Sequence, residues 1–337
     1  MPKKILITGI TGMVGSHLAD FCLANSDWEI YGFCRWNDNL DNICHLAEEI
    51  NKKGRVKLIY GDLNDYASVV SAIKKSQPDT VFHLAAQSNP KTSFDSPLET
   101  LTTNILGTAN LLEALRNSEY NKAIIHVCAS SEVFGRVSND KLPIGEECSF
   151  HPASPYAISK VGTDLLGRYY AEAYDMWVMT TRMFTHTGPR RGDVFAESSF
   201  AKQIALIEAG YQEPVIQVGN LDSLRTYADV RDAVRAYFML VTVNPQKGSY
   251  YNIGGNYTCT VGDMLKKLLS LSTVKNISIN VDVDRLRPID ADLQVPDTTK
   301  FRKNTGWKPK YEFDQTMEDL LNYWREKVKR GNLFLNR

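Results

Sequence analysis

Four side chains in one stretch of this 337-residue chain have the types and spacing to do chemistry on an alcohol. They are Ser130 and Glu132 in Ser130-Ser131-Glu132-Val133-Phe134-Gly135, and Tyr156 and Lys160 in Ser154-Pro155-Tyr156-Ala157-Ile158-Ser159-Lys160. A tyrosine and a lysine at this spacing on a helix share one face, one turn apart. An ammonium there favours the phenolate. A free tyrosine titrates near ~10, so half-ionising it near neutrality takes about 4 kcal/mol. One lysine and a second cation in a dry cleft could supply that together. The product is a general base at an alcohol oxygen.

Tyr-x-x-x-Lys alone is most often a solvated helix face, so the surrounding elements decide. Lys4-Ile5-Leu6-Ile7 reads as a buried parallel strand. It feeds Thr8-Gly9-Ile10-Thr11-Gly12-Met13-Val14-Gly15, after which Ser16 to Leu23 reads as a helix. Glycines there let the backbone approach a pyrophosphate, and the helix N-terminus faces it with N–H groups. The plain alternative is a tight turn without a ligand. A dinucleotide with a nicotinamide ring would supply both the second cation and a hydride acceptor.

Glu29 to Cys34 is the second strand and ends at Arg35, with no acid directly after it. Arginine at that place accommodates the 2′-phosphate of NADP, so NADP is expected, with NAD as the alternative. Strand three, Val56 to Tyr60, runs into Gly61-Asp62-Leu63; Asp62 is either an adenine ligand or an N-cap. Strand four runs from Thr80 through His83 into Leu84-Ala85-Ala86-Gln87-Ser88, small residues that leave room for a cofactor; His83 reads as a core residue. A helix spans Leu98 to Arg116, and Asn104 inside it needs a use for its amide. Ala123 to Ala129 is strand five, with Ser130 at its carboxyl end, where open parallel sheets place their chemistry. The fold class is therefore α/β: a doubly wound parallel Rossmann sheet with a smaller α/β substrate-binding domain. The boundaries read 1–183 for the first and 184–337 for the second, with part of 221–250 returning to the first.

Beyond strand six (Trp177 to Arg182), basic residues recur well apart, among them Arg190, Arg191, Lys202, Arg225 and Arg287. Each alone reads as a surface charge, and as a set they fit a diphosphate. Lys+Arg and Asp+Glu are both 39, so no global field draws nucleic acid or an anionic membrane. Six scattered cysteines without a Cys-x-x-Cys pair argue for reduced thiols, no zinc site and a cytoplasmic setting. No apolar run is long enough to span a bilayer.

Together these segments resemble the extended short-chain dehydrogenase/reductase family, and within it GDP-mannose 4,6-dehydratase and related GDP-sugar dehydratases. The resemblance also draws on Tyr60-Gly61-Asp62-Leu63, Pro189-Arg190-Arg191-Gly192, Gly219 to Arg225, Arg287-Pro288 and Gly306-Trp307-Lys308-Pro309. It implies a homodimer or homotetramer, with the helices around Leu98–Arg116 and Tyr156–Ala173 forming the dimer face (Leu101, Ile105, Leu112; Leu165, Leu166, Tyr169). It implies catalysis by Ser130, Tyr156 and Lys160, with Glu132 as the carboxylate that dehydratases add. The expected cofactor set is Gly9, Thr11, Gly12, Met13, Val14, Gly15, Arg35, Asp62, Leu63, Leu84, Ala85, Ala86, Tyr156, Lys160 and Arg191. The expected GDP-sugar set is Ser88, Ser131, Thr185, His186, Lys202, Arg225 and Arg287. Ser131 replaces the Asp of glucose-type dehydratases, and Thr185-His186 replaces the usual Asn-His. The rivals are a nucleotide-sugar 4-epimerase or 4-keto reductase, and a non-catalytic cofactor-binding protein.

Overall fold

The computed structural model describes residues 2–286, 291 and 293–331; Arg287 lies outside them. Strands β1 (Lys4–Thr8), β2 (Glu29–Cys34), β3 (Val56–Tyr60), β4 (Thr80–His83), β5 (Ile124–Cys128) and β6 (Val178–Met183) lead the chain. Short β7 (His186–Thr187), β8 (Val215–Val218) and β9 (Leu224–Asp229) follow, then β10 (Tyr250–Ile253), β11 (Tyr257–Thr260), β12 (Ser278–Val281) and β13 (Leu293–Gln294). Among the described residues the main sheet has seven strands in the order β10-β6-β5-β4-β1-β2-β3. Every pairing in it is parallel. Strands covered on both faces are buried along their length, and β4 and β6 are, the few polar side chains among them finding partners inside. Helices Met13–Asn25 and Val230–Thr242 cover one face through Leu18, Cys22, Val234 and Tyr237. Helices Tyr66–Ser76, Gly107–Arg116 and Pro155–Tyr174 cover the other through Val69, Leu111 and Tyr170. The strand order reverses between β1 and β4, which opens a crevice at their carboxyl ends.

After β6 the chain builds a smaller layer. Strand β9 pairs with β7, β11 and β13, and β8 with β12. Helices Ala196–Glu208, Val261–Ser270 and Phe313–Lys329 enclose Phe200, Met264, Leu320 and Trp324 beside them. The chain returns to the main sheet in between, through helix Val230–Thr242 and β10.

The expected single helix over Leu98–Arg116 is broken. Pro97–Leu101 and Gly107–Arg116 are α-helical, and Thr102–Leu106 between them is a wider π turn. Such a bulge frees backbone groups, often at functional sites. Here the Asn104 carbonyl accepts from the hydroxyls of Thr108 and Thr163. Leu112, expected on a dimer face, is wholly buried in the core.

One buried ion pair fixes helix Pro155–Tyr174 to the sheet. Arg182 on β6 donates to both Asp164 oxygens at 2.7 and 3.0 Å and to the Glu146 carbonyl at 2.6 Å, with both side chains almost fully buried. Its guanidinium also lies 4.8 Å from the Phe150 ring centroid. Asp164→Asn strands that guanidinium, at an expected cost of about 3–5 kcal/mol. Urea unfolding reads it directly, and an unshifted midpoint would show that the pair does not anchor the helix.

Candidate active site

The turn after β5 sets Ser130 and Glu132. Ser130 caps the short 3₁₀ turn Ser131–Phe134, its hydroxyl accepting from the Glu132 N–H at 3.2 Å. Gly135 closes the turn at φ 52°, where a Cβ would lie 1.6 Å from the His151 carbonyl oxygen. No other residue fits there. Ser154 then caps helix Pro155–Tyr174 by accepting from the Ala157 N–H at 3.0 Å, with Pro155 in the first turn. That cap starts the helix at Pro155 and places Tyr156 in its first turn.

Tyr156 and Lys160 are both buried. Lys160 donates to the Cys128 carbonyl at 2.8 Å, and its Nζ lies 6.0 Å from the Tyr156 ring centroid. Burial lowers the lysine from its ordinary value. Burial raises the Tyr156 phenol well above the usual range; a hydrogen bond from Ser130 and the Arg191 charge pull it down, while Cys128 and Glu132 push it up. The protein's own groups thus keep the phenol protonated, contrary to what the lysine spacing alone suggests. Desolvation is the largest of these influences.

The glycine turn fits a dinucleotide. A Cβ on Gly9 (φ 75°) would sit 2.8 Å from the Ala85 Cα. Gly12, the N-cap of helix Met13–Asn25, contributes no side-chain cap, so the first-turn N–H groups face the crevice unshielded by a side chain. The opposite lip is held by a hydrogen-bond chain centred on His83. Thr8 Oγ1 accepts from the N–H groups of Leu84 and Ala85, both at 3.1 Å, and donates to His83 Nδ1. Thr108 donates to the Asn104 carbonyl, so it accepts from His83 Nε2–H at 3.0 Å. Network logic thereby assigns a neutral ring protonated on Nε2. Burial, then Lys160, pushes its pKa down to about 3. His83 is structural. Asn104 holds the next residues: its amide accepts from the Gln87 N–H and donates to the Gln87 carbonyl and to Ser159.

Ser130, Glu132, Tyr156, Lys160 and the glycine turn line one cleft of about 1940 Å³, together with every expected cofactor and sugar residue that the structure describes. Ordinary ligand pockets reach roughly 1,000 Å³, so this one has room for two large ligands. The smaller layer supplies Lys202, which pairs with Asp193 at 2.8 Å, and Arg225, which donates to the Leu224 and Ala291 carbonyls. Arg191 stacks 3.4 Å from the Phe195 ring centroid and pairs with Glu197 at 3.4 Å. His186 donates from Nδ1 to the Phe184 carbonyl at 3.0 Å, and burial and Arg191 hold it down to about 4. Asp62 accepts from the Asn64 N–H, whereas the N-cap of helix Tyr66–Ser76 is Asp65.

Among the lining residues that sequence reasoning missed are Asp38, Glu197 and Arg285. Asp38 follows β2 by four positions and folds back on Arg35 through a turn that no strand-end rule registers. Glu197 looks like an ordinary first-turn acid of its helix yet is buried. Arg285 donates to Ser199 at 3.2 Å from a turn that pairing with Asp282 stabilises.

A doubly wound sheet, a glycine turn and a Ser-Tyr-Lys set on one cleft define an extended short-chain dehydrogenase/reductase. The family model described as GDP-mannose 4,6 dehydratase matches residues 6–320. GDP-mannose 4,6 dehydratase 1 of Arabidopsis thaliana is 33% identical, over 97% of this chain and 92% of its own. GDP-6-deoxy-D-mannose reductase of Pseudomonas aeruginosa is 29% identical, over 98% and 99%. The structure of RMD from Pseudomonas aeruginosa complexed with NADPH superposes with a TM-score of 0.81 at 28% identity, over 97% of this chain and all of that one. The chain belongs to the GDP-mannose 4,6-dehydratase family.

Proposed function

We propose that this protein is a GDP-sugar 4,6-dehydratase, a hydro-lyase using NADP(H), with NAD as a second cofactor, in the cytoplasm. The observation that carries the reading is Glu132, two residues beyond Ser130 on the cleft that Tyr156 and Lys160 also line. With the dinucleotide's pyrophosphate held on the glycine turn, its nicotinamide would take the hydride from C4 and give it back at C6. Ser130 would hydrogen-bond the C4 oxygen and Tyr156 would take its proton; the product stays a 4-ketone, so that proton passes to solvent, and C5 takes a solvent proton when the hydride returns to C6. Lys160, fixed on the Cys128 carbonyl, places its positive charge beside the phenol. The C4 ketone acidifies C5–H, and Glu132 removes that proton. The same carboxyl passes the proton to the departing C6 hydroxyl, so one water leaves and Glu132 is an anion again. Lys202 and Arg225 meet the sugar diphosphate; for Lys202, Asp193 must release it. Arg287 is assigned with them on its motif alone.

The Pseudomonas reductase, matched over nearly its full length, favours one other reading, a 4-keto reductase in which Glu132 is idle. A panel of GDP-, UDP-, CDP- and dTDP-sugars without added reductant separates the two. Loss of one water, seen by mass spectrometry for a GDP-sugar, is expected. Turnover only of a keto-sugar, with one reduced nucleotide consumed per product, would establish the reductase.

We also propose at least a homodimer. Leu98, Leu106, Ile158, Leu165 and Tyr169 are exposed apolar side chains on the two helical stretches beside the catalytic turn. Exposed apolar side chains gathered on two packed helical stretches are the kind of surface a partner covers. Light scattering is expected to give twice the chain mass or more, and Leu165→Glu to give monomer. A wild-type monomer at working concentration would refute the assignment.

A further inference from the structure

We infer that Asp38 sets this chain's choice between NADP(H) and NAD(H), holding its preference for the phosphorylated form to a small factor. The inference rests on the cofactor reading above and concerns a residue outside the expected cofactor set. Asp38 Oδ2 accepts from the Thr11 hydroxyl and the Arg35 N–H, both at 3.1 Å, and Oδ1 accepts from Arg35 Nε at 2.9 Å. Asn42 donates to the Thr11 carbonyl at 2.9 Å and ties the same loop to the glycine turn. The Asp38 side chain is 17% exposed and the Arg35 side chain 59%, so the carboxylate is the fixed partner and the guanidinium the mobile one.

The carboxylate stands between the glycine turn and the carboxyl end of β2, where this fold places the adenosine ribose. A carboxylate has about four acceptor sites, and three donors use it here, which leaves capacity for a ribose hydroxyl. A 2′-phosphate carries roughly −1.5 to −2 charges and meets the same carboxylate as a like charge. Arg35 offsets this, but its Nε is already committed to Asp38. The two residues therefore act in opposite directions on one phosphate. Neutralising Asp38 frees Arg35 for it; removing Arg35 leaves Asp38 unopposed.

The test is binding, read by nucleotide fluorescence on full-length protein stripped of cofactor, with NADPH and NADH titrated separately. Wild type is expected to favour NADPH by less than about 10-fold, a difference under roughly 1.4 kcal/mol. Asp38→Asn and Asp38→Ser should each raise that ratio at least about 10-fold, and Arg35→Ala should lower it by a similar factor. Unchanged ratios in both Asp38 variants would overturn the inference, as would a wild-type preference for NADPH beyond about 100-fold. No sugar is present, so a reductase would give the same ratios as a dehydratase. A protein that binds neither nucleotide would sink the inference and the cofactor reading together.

Discussion

Glu132→Gln is expected to separate the two halves of the reaction. The variant keeps Ser130, Tyr156 and Lys160, so it should still reduce the nucleotide on mixing with the true GDP-sugar. Without a base at C5 it should release dehydrated product about 10²–10⁴-fold more slowly. Glutamine preserves size and the backbone contact to Ser130, which runs through the Glu132 N–H, so the turn should survive. Solvent deuterium should enter C5 with wild type and stay out with the variant. Near-native dehydration by Glu132→Gln would make Glu132 a bystander and move the reductase reading to the front.

Much of this site was legible because it depends on local rules. The β1 run and the glycine turn leading into a helix each state their conformation in a few residues, and the structure has a strand at Lys4–Thr8 and a helix directly after Gly12. Val56–Tyr60 matches residue for residue, for the same reason. What escaped was set by contacts across the chain. The π turn around Asn104 exists because its carbonyl and amide serve Thr108, Thr163, Gln87 and Ser159, three of them outside its own turn. No periodicity encodes that. Asp38 was invisible because its role depends on the loop folding back onto Thr11. The state of Tyr156 escaped for a related reason. Helical spacing puts Lys160 one turn away, but only the packed site shows how strongly burial opposes ionisation.

That opposition gives the second large prediction. Tyr156→Phe should abolish both nucleotide reduction and product, since no other described group combines the phenol's place beside Ser130 with an exchangeable proton. The sign of the pH effect follows from the raised phenol. A group whose folded value lies above its unfolded one stabilises the fold fully below the unfolded pKa, here about 10, and loses that contribution as pH rises through the folded value. Alkaline titration of the protein without nucleotide, followed by ultraviolet difference absorbance, should therefore show equal tyrosinate in wild type and Tyr156→Phe up to about pH 10. Adding oxidised nucleotide brings the second cation beside the phenol, and wild type should then gain one tyrosinate at lower pH while the variant gains none. Lys160 lies 6.0 Å from the ring centroid and donates to the Cys128 carbonyl, so part of its hydrogen-bonding capacity is already committed. A Tyr156 tyrosinate near neutrality without nucleotide would show that the lysine suffices and that burial has been given too much weight.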